Sequence, residues 1–74
     1  PLWRTTSFVI YETNGVINIS ARSMGACNVQ IVMESLGGGG HLTMAATQLN
    51  CSMNEARKRL ADAIDEYWEN NSQE

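Results

Sequence analysis

A run of four glycines, Gly37 to Gly40, leads directly into His41, the single histidine of the chain. Backbone N–H groups in a glycine-rich turn can form a concave anion-binding site, because no Cβ atom obstructs the approach of a ligand. His41 adds a donor that becomes cationic beside a phosphate. Arg22 lies where a predicted strand ends, and its guanidinium suits bidentate contact with phosphate oxygens. These residues predict a pocket for one or two phosphates at the ends of the strands.

Each feature also has a simpler interpretation. A glycine run is a flexible linker in many chains, although this one separates two strongly patterned segments of one small domain. A lone histidine is more often structural than functional, and surface arginines are common. No Lys-Ser/Thr follows the glycines and no GxGxxG is present, which excludes a Walker A loop and a dinucleotide fingerprint. No Ser/His/Asp or Cys/His arrangement indicates catalysis.

The composition restricts the remaining classes of function. The chain has 74 residues, which is enough for one small domain, and its net charge of −3 includes no block of basic residues. Capture of nucleic acid through many phosphate contacts is therefore not expected. The two cysteines, Cys27 and Cys51, are predicted to be free thiols. With one histidine and no CxxC pair, the chain is not expected to form a metal site alone. No signal peptide or apolar run of transmembrane length is present.

The first half of the chain has the pattern of a β-hairpin. Residues 7–11 are rich in β-branched and aromatic types and predict a strand. Asn14-Gly15 is typical of a type I′ turn, and a second strand is expected over residues 16–22. A two-residue loop predicts two apolar cross-strand pairs, Ile10 with Ile19 and Phe8 with Ala21.

The second half predicts two helices with a strand between them. Asn28 is a suitable N-cap for a short helix to Leu36, and Gly37 follows where a left-handed residue ends a helix. A third strand is expected over residues 43–49. Ser52 and Glu55 then match a capping box at the start of a helix that runs to about residue 70.

The order β-β-α-β-α predicts an α+β fold, a two-layer domain with a small mixed sheet. The strand–helix–strand crossover is expected to make the third strand parallel to the second. Residues 1–6 are expected to be a linker or an expression remnant, residues 7–70 the folded domain, and residues 71–74 a frayed tail.

Three segments together carry a family resemblance: residues 19–23 (ISARS), residues 28–30 (NVQ) and residues 33–47, which contain the glycine–histidine signature. They resemble the DHHA1 domain, the C-terminal half of the DHH-family phosphoesterases, and the likeness covers roughly residues 7–64. Most DHHA1 domains have Ala-Ala-Gly where this chain has Ala45-Ala46-Thr47. The Ser-Ala-Arg-Ser and Ala-Ala-Thr-Gln combination is similar to the bacterial, membrane-anchored cyclic-di-AMP phosphodiesterases of the GdpP/YybT type.

The resemblance implies a division of labour between two domains. A DHH domain outside this chain would hold two manganese ions (Mn2+) through Asp and His residues, and these ions would activate the attacking water. The DHHA1 half would bind substrate, and no catalytic residue or metal is expected in this chain. The residues implied to bind substrate phosphate are Arg22, Gly38, Gly39, Gly40 and His41. The residues implied to support them are Ser20, Ser23, Asn28 and Thr47.

The expected function is therefore substrate binding in a manganese-dependent phosphodiesterase that hydrolyses cyclic-di-AMP to pApA, with this chain alone inactive. The expected partners are the cyclic dinucleotide, the intramolecular DHH domain and a second copy in a homodimer. The domain is expected in the cytoplasm without direct membrane contact, in a parent anchored in the cell membrane.

Two alternatives remain open from the sequence. One is the DHHA1 domain of an oligoribonuclease or RecJ-like exonuclease that acts on short linear nucleic acid. The other is a non-catalytic RNA-binding module, similar to the C-terminal domain of alanyl-tRNA synthetase, for which more than the 5 lysines and arginines present would be expected.

Overall fold

The computed structural model describes residues 6–24 and 27–71. Thr6 begins the first strand, so the other residues of the predicted linker, 1–5, lie outside the described residues. The predicted frayed tail also lies outside them, apart from Asn71 at the end of the last helix.

The chain forms one antiparallel sheet with two helices on the same face, which confirms the predicted two-layer α+β class. The strand order in the sheet is β1-β2-β4-β3. The elements are β1 (Thr6–Thr13), β2 (Val16–Ser23), α1 (Val29–Ser35), β3 (Gly39–Gly40), β4 (Met44–Leu49) and α2 (Met53–Asn71).

The predicted hairpin is confirmed. Asn14 and Gly15 have φ values of 52° and 80°, the left-handed backbone that a type I′ turn requires at both central positions. Thr13 pairs with Val16 across this turn. The register that follows contains both predicted pairs, Ile10 with Ile19 and Phe8 with Ala21.

Local signals place both helix starts as predicted. The Asn28 side chain accepts a hydrogen bond of 3.1 Å from the N–H of Gln30, which caps α1. The Ser52 hydroxyl accepts one of 3.1 Å from the N–H of Glu55 at the start of α2. These caps satisfy backbone donors that have no partner inside the helices.

The core lies between the sheet and the two helices. Every second residue of β2 and β4 faces the helices, so these strands each contribute a buried stripe. The buried side chains of α1 fall at the helical spacing that the sequence predicts. The buried apolar residues are Ile17, Ile19, Ala21, Cys27, Val29, Val32, Met33, Leu36, Ala45, Leu49, Ala56, Ala63 and Tyr67.

The predicted mixed sheet, with the third long strand parallel to the second, is wrong, because β4 pairs with β2 antiparallel. The glycine run forms an additional strand, β3, which the sequence does not predict because glycine is depleted in strands. Since β3 and β2 are both antiparallel to β4, they run in the same direction. The crossover through α1 therefore joins β2 to β3, and a tight turn reverses the chain into β4, which lies between them.

Candidate functional site

Arg22 and His41 lie in one row on the face of the sheet opposite the helices. Arg22 on β2 pairs with Met44 on β4. The N–H of His41 donates to the Met44 carbonyl at 2.7 Å, and the N–H of Met44 donates back to the His41 carbonyl at 3.3 Å. Because neighbouring strands are spaced by just under 5 Å, the backbones of Arg22 and His41 are about 10 Å apart.

The turn between β3 and β4 is tied to the rest of the domain on both sides. The Thr43 carbonyl accepts a hydrogen bond of 3.0 Å from the N–H of Ser23, at the end of β2. The Leu42 carbonyl accepts one of 3.1 Å from the N–H of Val29, at the start of α1. These bonds hold the backbone of His41 in register with the strand that carries Arg22.

An open groove of about 400 Å³ is lined by both side chains and by exposed Met44, which lies between them in the row. Its lining includes Arg22, His41, Ser20, Gly39 and Gly40, and in the described part of the chain it includes no carboxylate. A guanidinium and an imidazole on an open surface without acidic neighbours are suited to an anion such as phosphate. The structure thus brings together four of the five residues predicted to bind phosphate.

The fifth of these residues, Gly38, is explained by packing. Gly37 and Gly38 end α1 in a Schellman motif: the Gly37 N–H donates to the Glu34 carbonyl at 3.0 Å and the Gly38 N–H to the Met33 carbonyl at 2.8 Å. A Cβ atom on Gly38 would lie 2.2 Å from the Ala46 carbonyl oxygen, so no side chain fits there.

Gly40 and Gly39 differ in what their backbones require. Gly40 has a φ of +146°, and a Cβ atom on it would lie 2.5 Å from the backbone of β4. Gly39 has no such neighbour, since a Cβ atom there would meet nothing within 4 Å. The fold therefore explains Gly40 but leaves the absence of a side chain at Gly39 unexplained.

The open edge of β3 exposes one backbone donor. His41 and Met44 exchange both of their backbone hydrogen bonds, so the next pair, Gly40 with Ala45, directs its N–H and C=O groups away from each other. Because β3 is the last strand in the sheet, the N–H of Gly40 points to the free edge. This donor lies next to His41 in the chain and points away from β4 and from Arg22.

The sequence profile of the DHHA1 domain matches residues 3–70. The chain belongs to the DHHA1 family. This DHHA1 chain is 58% identical over 64 residues to the cyclic-di-AMP phosphodiesterase PdeA of Listeria monocytogenes, an alignment that covers 84% of the chain and 10% of that relative.

Two further relatives have similar names. The cyclic-di-AMP phosphodiesterase GdpP of Geobacillus thermodenitrificans is 54% identical over 65 residues, or 85% of this chain and 10% of the relative. GdpP of Bacillus subtilis is 67% identical over 52 residues, or 69% of this chain and 8% of the relative. The DHHA1 chain thus spans about a tenth of the length of these curated relatives.

Of the four residues predicted to support the phosphate site, one lines the groove and three make contacts within the fold. Ser20 lines the groove. The Ser23 hydroxyl accepts a hydrogen bond of 3.2 Å from the N–H of Cys27, and Asn28 caps α1. Thr47 is buried, and its hydroxyl donates to the Leu36 carbonyl at 3.0 Å. The last three side chains therefore have contacts that stabilise the fold, and their role towards substrate stays a prediction.

Sequence reasoning missed a second group of polar residues on the same sheet face. Tyr11, Asn18 and Gln48 lie in one row across β1, β2 and β4, and they line an open depression of about 350 Å³. The period-2 pattern of each strand places them on the solvent side, but their alignment depends on the antiparallel pairing of β4.

Both cysteines are free thiols, as predicted. Burial raises the pKa of the Cys27 thiol and outweighs the hydroxyls of Thr6 and Tyr67, which act to lower it. Cys27 is therefore a neutral core residue and not a nucleophile.

Two further properties concern metals and membranes. Among the described residues, no group of three or more His, Cys, Asp or Glu side chains could hold a metal ion. Within residues 6–24 and 27–71, no helix has both the length and the apolar character needed to cross a membrane.

Proposed function

We propose that this DHHA1 domain is the substrate-binding part of a manganese-dependent phosphodiesterase that hydrolyses cyclic-di-AMP to pApA. In this proposal Arg22 and His41 hold a substrate phosphate, and the backbone of Gly39 and Gly40 lines its binding site. The observation that carries the proposal is the groove in which all four residues meet. The names of the three relatives reported above, at 54–67% identity, support cyclic-di-AMP as the substrate.

The groove can act on a phosphodiester in two ways. The guanidinium fork of Arg22 can orient the phosphate through directed hydrogen bonds. Cationic Arg22 can also offset the negative charge that grows on the phosphate oxygens in the transition state, and His41 can donate a hydrogen bond to one of them. The first effect positions the substrate and the second stabilises the transition state, and neither needs a nucleophile from this chain.

The proposed manganese ions do not fit the residues of this domain, because the described residues contain no cluster of metal ligands. We therefore assign the metal to a DHH domain outside this chain. That domain would face the groove from within the same protein, and the reacting water would come from its side.

Two features of the parent protein complete the proposal. We place the domain on the cytoplasmic side of a parent that is anchored in the cell membrane by other segments, with no membrane contact of its own. A homodimer would bring two such domains together, since surfaces shaped for a partner favour association.

The proposal is tested by substituting the two charged residues in the parent enzyme. Removal of a donor that stabilises transition-state charge typically lowers kcat by a hundredfold or more, so we expect Arg22→Ala to lower kcat/KM for cyclic-di-AMP by about a hundredfold. Arg22→Lys should recover only part of this loss, because an ammonium lacks the bidentate fork. His41→Ala is expected to lower kcat/KM by roughly tenfold to a hundredfold, the effect of one hydrogen bond to a charged group.

Arg57→Ala is the matched control, because Arg57 is an exposed arginine on α2 outside the groove. It should keep wild-type kinetics, and all four variants should retain the wild-type circular dichroism spectrum. Wild-type rates in Arg22→Ala and His41→Ala would refute the phosphate site. A parent that hydrolyses short linear RNA faster than cyclic-di-AMP would instead favour the exonuclease alternative.

A further inference from the structure

The row formed by Tyr11, Asn18 and Gln48 combines an aromatic ring with two amide groups. Tyr11 pairs with Asn18 and Asn18 pairs with Gln48, so the side chains are direct neighbours across three strands. Tyr11 is 47% exposed although it is aromatic. The phosphate site described above uses none of these three residues.

The two amide groups are held in a fixed orientation. The Gln48 amide N–H donates to the Asn18 side-chain oxygen at 3.0 Å, and the Asn18 amide N–H donates to the Val16 carbonyl at 3.2 Å. Each amide group has two N–H donors, so each retains one, and Gln48 retains its carbonyl oxygen. The hydrogen bond from the Gln48 amide nitrogen to Asn18 fixes the orientation of the Gln48 amide group. The positions of its remaining N–H donor and of its carbonyl acceptor are therefore also fixed.

A donor and an acceptor on one amide match the hydrogen-bonding edge of adenine, with its amino donor and ring-nitrogen acceptor. An exposed tyrosine next to them offers a surface on which a base can stack. The combination is therefore suited to a purine base and in particular to adenine.

The distance from this row to the phosphate groove fits a nucleotide. Asn18 and Arg22 are four residues apart on β2, or about 13 Å between their Cα atoms. On β2, β4 and β3 the row between them consists of the small residues Ser20, Ala46 and Gly39, and exposed Val9 continues it on β1. Both depressions share Ser20 and Ala46. A ribose can lie over these small side chains. Arg22 would then contact the phosphate at one end of the nucleotide, and Gln48 would contact the base at the other end.

We propose that Tyr11, Asn18 and Gln48 form an adenine-binding subsite, in which Gln48 selects the base and Tyr11 stacks on it. This inference rests on the proposed function, because it takes the groove at Arg22 and His41 as the site of the nucleotide phosphate. It assigns base selectivity to the outer face of the sheet.

The test compares three probes that share one phosphate: AMP, IMP and ribose 5-phosphate. IMP carries a carbonyl oxygen where AMP has its amino group, and ribose 5-phosphate has no base. Their dissociation constants for the 74-residue chain are measured by NMR chemical-shift titration. Because a matched amide contact discriminates between bases by about tenfold or more, AMP should bind about tenfold more tightly than IMP.

The variants separate the base subsite from the phosphate site. Gln48→Ala should remove the preference for AMP over IMP and leave the affinity for ribose 5-phosphate unchanged. Tyr11→Ala should weaken AMP and IMP equally, by about tenfold, while Tyr11→Phe should keep both affinities. Gln30→Ala removes the same side chain from α1 and should change nothing.

The outcomes are distinguishable. If AMP, IMP and ribose 5-phosphate bind equally, or if Gln48→Ala keeps the preference for AMP, the base subsite is refuted and the phosphate site stands. If none of the probes binds, or if Arg22→Ala leaves all three affinities unchanged, the phosphate site fails and the base subsite fails with it.

Discussion

Neighbouring glycines of the loop have different physical reasons to be glycine. At Gly40 a φ of +146° and the close approach of β4 exclude a side chain. At Gly39 a Cβ atom would enter open space in the groove. The fold therefore depends on Gly40, whereas the space above Gly39 is available to a ligand.

This contrast gives a paired prediction. Gly39→Ala should leave the melting temperature of the chain unchanged but weaken the binding of ribose 5-phosphate, because the methyl group occupies space that the ligand needs. Gly40→Ala should destabilise the fold by roughly 1–3 kcal/mol, the usual cost of holding a non-glycine residue in such a backbone conformation. Thermal denaturation followed by circular dichroism, with NMR titration of ribose 5-phosphate, checks both effects. Equal losses of stability in the two variants would contradict the assignment.

The structural role of a single residue could be predicted from the sequence where its hydrogen-bond partner is close in the chain. The cap at Asn28 and the helix end at Gly37 depend on partners a few residues away, so their types and spacing are sufficient. Thr47 was not predictable in this way, because its hydroxyl donates to the Leu36 carbonyl, 11 positions earlier in the chain. That contact exists only once α1 has packed against β4.

At the scale of the elements, the site depends on a strand that the sequence pattern does not indicate. Glycine has a low intrinsic preference for strands, so β3 forms because β4 offers it a pairing edge. The helical crossover does join two strands that run in the same direction, but these strands are β2 and β3. The turn after β3 reverses the chain, so β4 runs antiparallel to both. Both rows across the sheet depend on that reversal. Arg22 and His41 were nevertheless predicted together from their chemistry and the family resemblance, whereas no such signal marked the row of Tyr11, Asn18 and Gln48.

The packing of the elements makes the two thiols unequal. Cys27 is 2% exposed and lies in the core, whereas Cys51 is half-buried before α2. Alkylation requires the thiolate, and burial raises the pKa of Cys27 above its ordinary value of 9.0. We expect iodoacetamide at pH 8 to modify Cys51 quickly and Cys27 only after the chain unfolds in urea, as measured by mass spectrometry.

Cys51→Ser serves as the control, since this variant should acquire no adduct until urea is added. The same pKa shift has a consequence for stability. Since the unfolded thiol ionises at lower pH than the folded one, the contribution of Cys27 is complete below pH 9 and is lost as the pH rises through its folded-state pKa. Modification of Cys27 at the rate of Cys51 in the folded chain would contradict its place in the core.

At the scale of the whole molecule, the proposed function divides phosphate binding and metal binding between two domains. The groove is lined by the guanidinium of Arg22 and the imidazole of His41. The described residues supply no metal-binding cluster. In the proposal, this domain holds the phosphodiester and the metal-bearing domain cleaves it.

This division predicts that the 74-residue chain binds cyclic-di-AMP without hydrolysing it, whereas the parent enzyme hydrolyses it. The 74-residue chain, incubated with manganese and cyclic-di-AMP, should produce no pApA by chromatography, and titration calorimetry should detect no tight manganese site. The same chain should still show NMR shifts at Arg22, Gly40 and His41 when cyclic-di-AMP is added. The parent enzyme under identical conditions is the positive control. Metal-dependent turnover by the chain alone would place the catalytic groups within these residues and overturn the assignment of manganese to a second domain.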